Sequence, residues 1–127
     1  MTDKRDLETE SDIKLVLEQF YADVLNDEIL LRYFEHLDLN AHLPKILSFW
    51  SGLLLNTGNY SGNMMESHQH VHAEVPLSPL AFERWLTLFM VCIDKNYRGF
   101  KADEMKNRAR SIAGVLCFRI TGQVLNV

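Results

Sequence analysis

Within "MESHQHVHAE", residues 65–74, three of the chain's five histidines occupy alternate positions: His68, His70 and His72. Four kinds of chemistry use such spacing. In a strand the three rings would share one face, but a lone short strand leaves its backbone groups unpaired. On a helix His68 and His72 lie four apart and share a face with Met64, Met65, Val71 and Val75, whereas His70 points away. That pair suits zinc, yet a structural site needs four ligands and a catalytic one three, and no Cys-x-x-Cys or His-Glu-x-x-His completes the set. An inward imidazole can instead be the axial ligand of a buried iron. The last reading is plain surface polarity on a short amphipathic helix, and the spacing leaves these last two open.

Polar aromatics elsewhere bear on the choice. Tyr21 sits beside Phe20 on an apolar helical face, Trp85 lies on the apolar face of its own helix, and His42 opens the helix that carries Ile46, Phe49 and Trp50. Each alone reads as a core aromatic whose polar atom has found a carbonyl. Together, hydrogen-bond donors on one side and an inward histidine on the other suit a flat iron macrocycle with a gas-binding face.

These residues need helices to position them. "SDIKLVLEQFYADVLND" offers Ser11 as a cap and then Ile13, Val16, Leu17, Phe20, Tyr21, Val24 and Leu25 at helical spacing. A shorter segment, "DEILLRYFEHL", ends near Asp38. Asn40 caps a further helix with Pro44 in its first turn, where a missing amide proton costs little. "NTGNYSGN" has loop chemistry. After the histidines, Ser78 and Pro79 supply the cap and first position of a long helix bearing Trp85, "NYRGF" ends it, and a last helix runs from about Ala102. No other segment alternates as a strand would, so the class is all-α, with residues 1–10 a polar, solvated arm before one domain over 11–127.

Bulk properties narrow the function. The chain has 127 residues, 47% of them hydrophobic, which is enough for a single core. A net charge of −4 with scattered Lys and Arg argues against nucleic acid. "SFWSGLLL" and "WLTLFMVCI" are too short to cross a bilayer. Two distant cysteines, Cys92 and Cys117, and no visible secretory leader fit a reducing, cytoplasmic setting.

Several phrases, "FYADVLND", "RYF", "HLPKILSFW", "YSGNMMESH" and "FERWLTLF", stand in the order found in one family. The combination of His-x7-Trp from His42 to Trp50, Tyr-x-Gly-x5-His from Tyr60 to His68, and Phe-x-x-Trp-Leu-x-Leu-Phe resembles the group III truncated haemoglobins over roughly residues 11–113. The double-glycine signals of the other two truncated groups are absent. The resemblance implies a shortened globin, a two-over-two helical sandwich around haem b (iron protoporphyrin IX). It implies His68 as the metal ligand, with His72 as the rival because about three extra residues follow. Tyr21, Trp85 and His42 fall on the distal side, where the first two can donate to a bound diatomic ligand. Phe20, Phe34, Ile46, Phe49 and Trp50 fall around the cofactor, and Lys45 within reach of a propionate. The ligands implied are dioxygen, nitric oxide or carbon monoxide. The function implied is reversible binding that serves redox or reactive-species chemistry, such as nitric oxide dioxygenation or a peroxidase-like reaction, with a separate reductase. A gas sensor and a haem-free helical interaction domain are the alternatives.

Overall fold

The computed structural model describes residues 4–35, 37–56 and 64–125, less the side chains at 64–66, 70 and 74. The "NTGNYSGN" loop beyond Asn56, Tyr60 of the Tyr-x-Gly motif, and the side chains of Met65 and His70 therefore lie outside the described residues. Six helices are described: α1 (Glu10–Leu25), α2 (Leu31–Phe34), α3 (Leu39–Leu55), α4 (Met64–Glu74), α5 (Pro79–Asn96) and α6 (Phe100–Thr121). The alternating histidines lie on α4, so they are helical and the strand reading is excluded.

Caps account for most differences from the expected boundaries. Thr9, not Ser11, caps α1, because Thr9 and Asp12 form a reciprocal capping box. The face that follows buries Ile13, Val16, Leu17, Phe20, Tyr21 and Val24. The expected helix over "DEILLRYFEHL" shrinks to α2. Asp27 turns the chain there by accepting from the backbone N–H groups of Ile29 and Leu30 at 3.1 and 3.0 Å. Asp38, not Asn40, caps α3 by accepting from Asn40 N–H, which starts the helix earlier and puts Pro44 inside it rather than in its first turn. Ser78 and Pro79 begin α5 as expected.

The expected polar arm is tied down in its described part. Leu7 is buried, and Arg5 makes a forked contact with Asp12 at 2.9 and 2.6 Å. Asp6 accepts from Lys101 and Ala102 N–H, both at 2.8 Å, so an acid from the chain start caps α6, whose own cap residue is Gly99. Gly99 has φ +146°, and a Cβ there would lie 2.6 Å from Asp6 Cγ.

Helix α1 packs on α3 and α5, α5 on α6, and α3 and α4 on α6, giving one pair of helices (α1, α3) laid over another (α5, α6). The core runs from Leu7 through α1 to Trp50, Phe89, Ile93 and Met105. Among the described residues no helix is long and apolar enough to cross a membrane.

Candidate haem cavity and ligand-binding site

The two layers do not close on each other everywhere. Between them lies a cavity of about 1120 Å³, counting the space that opens to solvent at its mouth. Every helix lends it a wall. Tyr21 and Phe20 come from α1, Tyr33 and Phe34 from α2, and His42, Ile46, Phe49 and Trp50 from α3. Ser67, His68 and Val71 come from α4, Phe82, Trp85 and Phe89 from α5, and Ile112 and Leu116 from α6. The helical periodicity explains the α4 and α5 sets: His68 and Val71 are three apart, and Phe82, Trp85 and Phe89 follow an i, i+3, i+7 stripe.

An aromatic cluster holds the α5 wall. Trp85 stacks on Phe89 with ring centres 5.0 Å apart and 9° between planes, Trp50 stacks on the same ring at 5.3 Å, and Phe20 meets Trp85 edge-on at 5.7 Å. The indole ring of Trp85 is thus held by two aromatic neighbours, Phe89 and Phe20, and Trp50 backs Phe89. Its N–H has no hydrogen-bond partner among the described residues.

The α1 and α3 walls differ, because their polar groups are already engaged. Tyr21 O–H and His42 Nε2 lie 2.8 Å apart. Burial pushes the Tyr21 phenol well above its ordinary value, so it keeps its proton. His42 is pushed the other way, by burial first and then by the positive charges of His68 and Lys45, so its imidazole is neutral near pH 7. A neutral imidazole can hold this bond in either sense. With the proton on Nε2 it donates to the phenol oxygen and leaves the phenol proton free; with a bare Nε2 it accepts that proton.

Two expected residues lie elsewhere. Lys45 is exposed and is not part of the wall, though its charge reaches His42. His72 is not on the wall either. Its Nδ1 accepts a hydrogen bond from Leu77 N–H at 2.8 Å, which engages one of its two ring nitrogens. Residues that sequence reading passed over include Tyr33, Leu77 and Phe89. Phe89 was visible in the Phe-x-x-Trp-Leu-x-Leu-Phe phrase at helical spacing from Trp85, whereas Tyr33 reaches the wall from the single-turn helix α2 and Leu77 from the loop between α4 and α5.

The donor set fits a haem group. A broad apolar and aromatic cavity with His68 on its α4 wall and Tyr21, His42 and Trp85 on its α1, α3 and α5 walls would give such a group an imidazole and separate polar hydrogen-bonding groups. Among the described residues no three His, Cys, Asp or Glu side chains converge as a cage for a bare ion.

Comparison with known proteins agrees with this geometry. A group 3 truncated haemoglobin of Campylobacter jejuni is 32% identical over 111 residues, spanning 80% of this chain and 82% of that protein. The crystal structure of a group III truncated haemoglobin from Campylobacter jejuni superposes with a TM-score of 0.83 at 27% identity, covering 93% of this chain and 95% of that one. No family model matches the chain. Shared sequence over most of both chains, on the same two-over-two fold, shows that the chain belongs to the group III truncated haemoglobins and is a haem-based ligand-binding globin.

Proposed function

We propose that this globin holds haem b with His68 as its axial ligand, binds dioxygen and related diatomics beside Trp85 and Tyr21, and serves redox chemistry of small reactive species, nitric oxide dioxygenation foremost. Bound haem supplies an iron that takes a diatomic ligand and changes oxidation state. The protein supplies the rest. Phe34, Ile46, Phe49 and Phe89 give the cavity apolar walls, which strengthen each hydrogen bond made against them relative to solvent. Trp85 offers an N–H with no partner among the described residues, on a ring that Phe89 and Phe20 hold still, a donor that need not reorganise when negative charge develops on a ligand. Tyr21 offers a second proton when His42 holds the phenol oxygen through Nε2–H. His42 thereby sets whether one donor or two are ready.

One observation carries the reading: an indole N–H with no partner among the described residues and a phenol–imidazole pair line the same cavity as His68. Two donors that hold a ligand firmly slow its escape, which suits chemistry on the ligand better than delivery of it. Sustained turnover requires electrons, so the reading includes a separate reductase. The free cysteines Cys92 and Cys117 are both buried, in keeping with a reducing, cytoplasmic setting.

The test is to mix the oxygenated protein with nitric oxide in stopped flow and then to supply a reductant. Rapid conversion to the ferric form followed by repeated cycles supports the redox reading. Conversion that is slow, or that stops after one equivalent with reductant present, favours a gas sensor.

A further inference from the structure

Two hydrogen bonds that the distal chemistry does not use meet on one peptide unit. Tyr33 O–H donates to the Pro76 carbonyl at 2.8 Å, and the Leu77 N–H of that same Pro76–Leu77 peptide donates to His72 Nδ1 at 2.8 Å. The peptide is therefore held at its oxygen by α2 and at its nitrogen by α4. Arg32 reinforces one side: its Nη2 donates to the Tyr33 oxygen at 3.1 Å and its guanidinium lies 5.1 Å from the ring centre, which turns the phenol proton toward Pro76. Tyr33 and Leu77 both line the cavity, and His72 lies one helical turn beyond His68.

We infer that His72 and Tyr33 are positioning residues, whose shared hold on the Pro76–Leu77 peptide sets how α4 presents His68 to the cavity. The inference rests on the reading of His68 as axial ligand. A helix of eleven residues has little stability of its own, so its orientation follows from its packing on α6 and from what its ends are tied to. At its C-terminal end Val75 N–H still bonds Val71 at 2.8 Å, and the next tie is the His72–Leu77 bond. Release of that bond frees α4 to rotate about its axis and carries His68 with it. The His72 bond is partly buried and the Tyr33 bond is exposed, so His72 carries more of the effect.

The experiment uses the haem-loaded protein and two readouts: the iron–imidazole stretching band of the ferrous, ligand-free form in resonance Raman, and the rate of haemin transfer to an apomyoglobin scavenger. His72→Leu is expected to shift or broaden the band and to speed haemin loss on the order of 3- to 10-fold, the factor one partly buried hydrogen bond supplies. His72→Asn puts an amide oxygen where Nδ1 stood and is expected to restore both readouts. Tyr33→Phe should move them the same way by less. Wild-type values in His72→Leu, or equal damage in His72→Asn and His72→Leu, overturn the inference. Should His72→Leu fail to fold, Tyr33→Phe carries the test, with wild-type values in both readouts overturning it. A His68→Gly protein that keeps the wild-type band overturns the axial-ligand reading itself. A band lost in His68→Gly but untouched in His72→Leu overturns the positioning role alone.

Discussion

Replacement of Trp85 by Phe separates the two distal donors. The substitution keeps an aromatic ring against Phe89 and Phe20 and deletes a cavity-lining indole N–H that has no partner among the described residues. A hydrogen bond to a charged or strongly polar acceptor is worth about 1.5–3 kcal/mol. If that loss falls on the escape of dioxygen, release accelerates roughly 10- to 150-fold. Tyr21→Phe deletes a donor that shares a 2.8 Å bond with His42, and wherever His42 Nε2 is bare the phenol must leave that bond to make another. The net loss there is about 0–1 kcal/mol, or at most roughly fivefold in rate. The assay is stopped-flow displacement of dioxygen by carbon monoxide in the wild type and both variants. Unchanged release in Trp85→Phe, or a larger acceleration in Tyr21→Phe, would refute the ranking of a free donor above a shared one.

Other consequences concern stability and acid. His42 binds its proton less readily in the folded protein than at its ordinary value of 6.5, so below that pH the unfolded chain holds more protons and stability rises with pH until the two states titrate alike. The urea midpoint of the wild type should therefore fall more steeply than that of His42→Gln as pH drops below 6.5; equal slopes would contradict the burial of this ring. The Arg5 guanidinium, with Glu8 N–H, Thr9 N–H and Tyr97 O–H, holds the Asp12 carboxyl well below the usual carboxylate range. Its contribution is present above the ordinary Asp value and is lost as pH falls through the depressed one, and Asp12→Asn should cost about 1.5–3 kcal/mol in chemical denaturation at pH 7. Gly99→Ala forces a Cβ to 2.6 Å from Asp6 Cγ at a φ that side chains rarely adopt, and should cost about 1–3 kcal/mol by the same measurement.

Much of the architecture is legible in the sequence because it rests on local signals. The 3.6-residue periodicity of α1, and Ser78–Pro79 ahead of α5, need no distant partner to be read. The family phrases lead from Tyr21, His42, His68 and Trp85 to one cavity, as the geometry has it. What sequence reading missed depends on contacts far along the chain. The first ten residues look solvated because their acids and bases meet no partner nearby, whereas Asp6 finds Lys101 and Ala102 across the fold. The boundary of α3 turned on which of two neighbouring polar residues captured the first amides, a contest that Asp38 won. His68 and His72 are equivalent by helical spacing alone. They part only when Leu77 folds back and occupies one ring, which no pattern in residues 65–74 foretells.

The proposed haem binding turns on one imidazole, and its most direct measurement is the absorption spectrum of haemin-loaded His68→Gly with and without added imidazole. The expected outcome is a Soret band that is weakened and displaced, returning to the wild-type position as imidazole from solution takes the place of the missing ring. A His68→Gly protein whose ferric and ferrous spectra match the wild type, with no response to imidazole, would contradict the claim that this residue holds the iron.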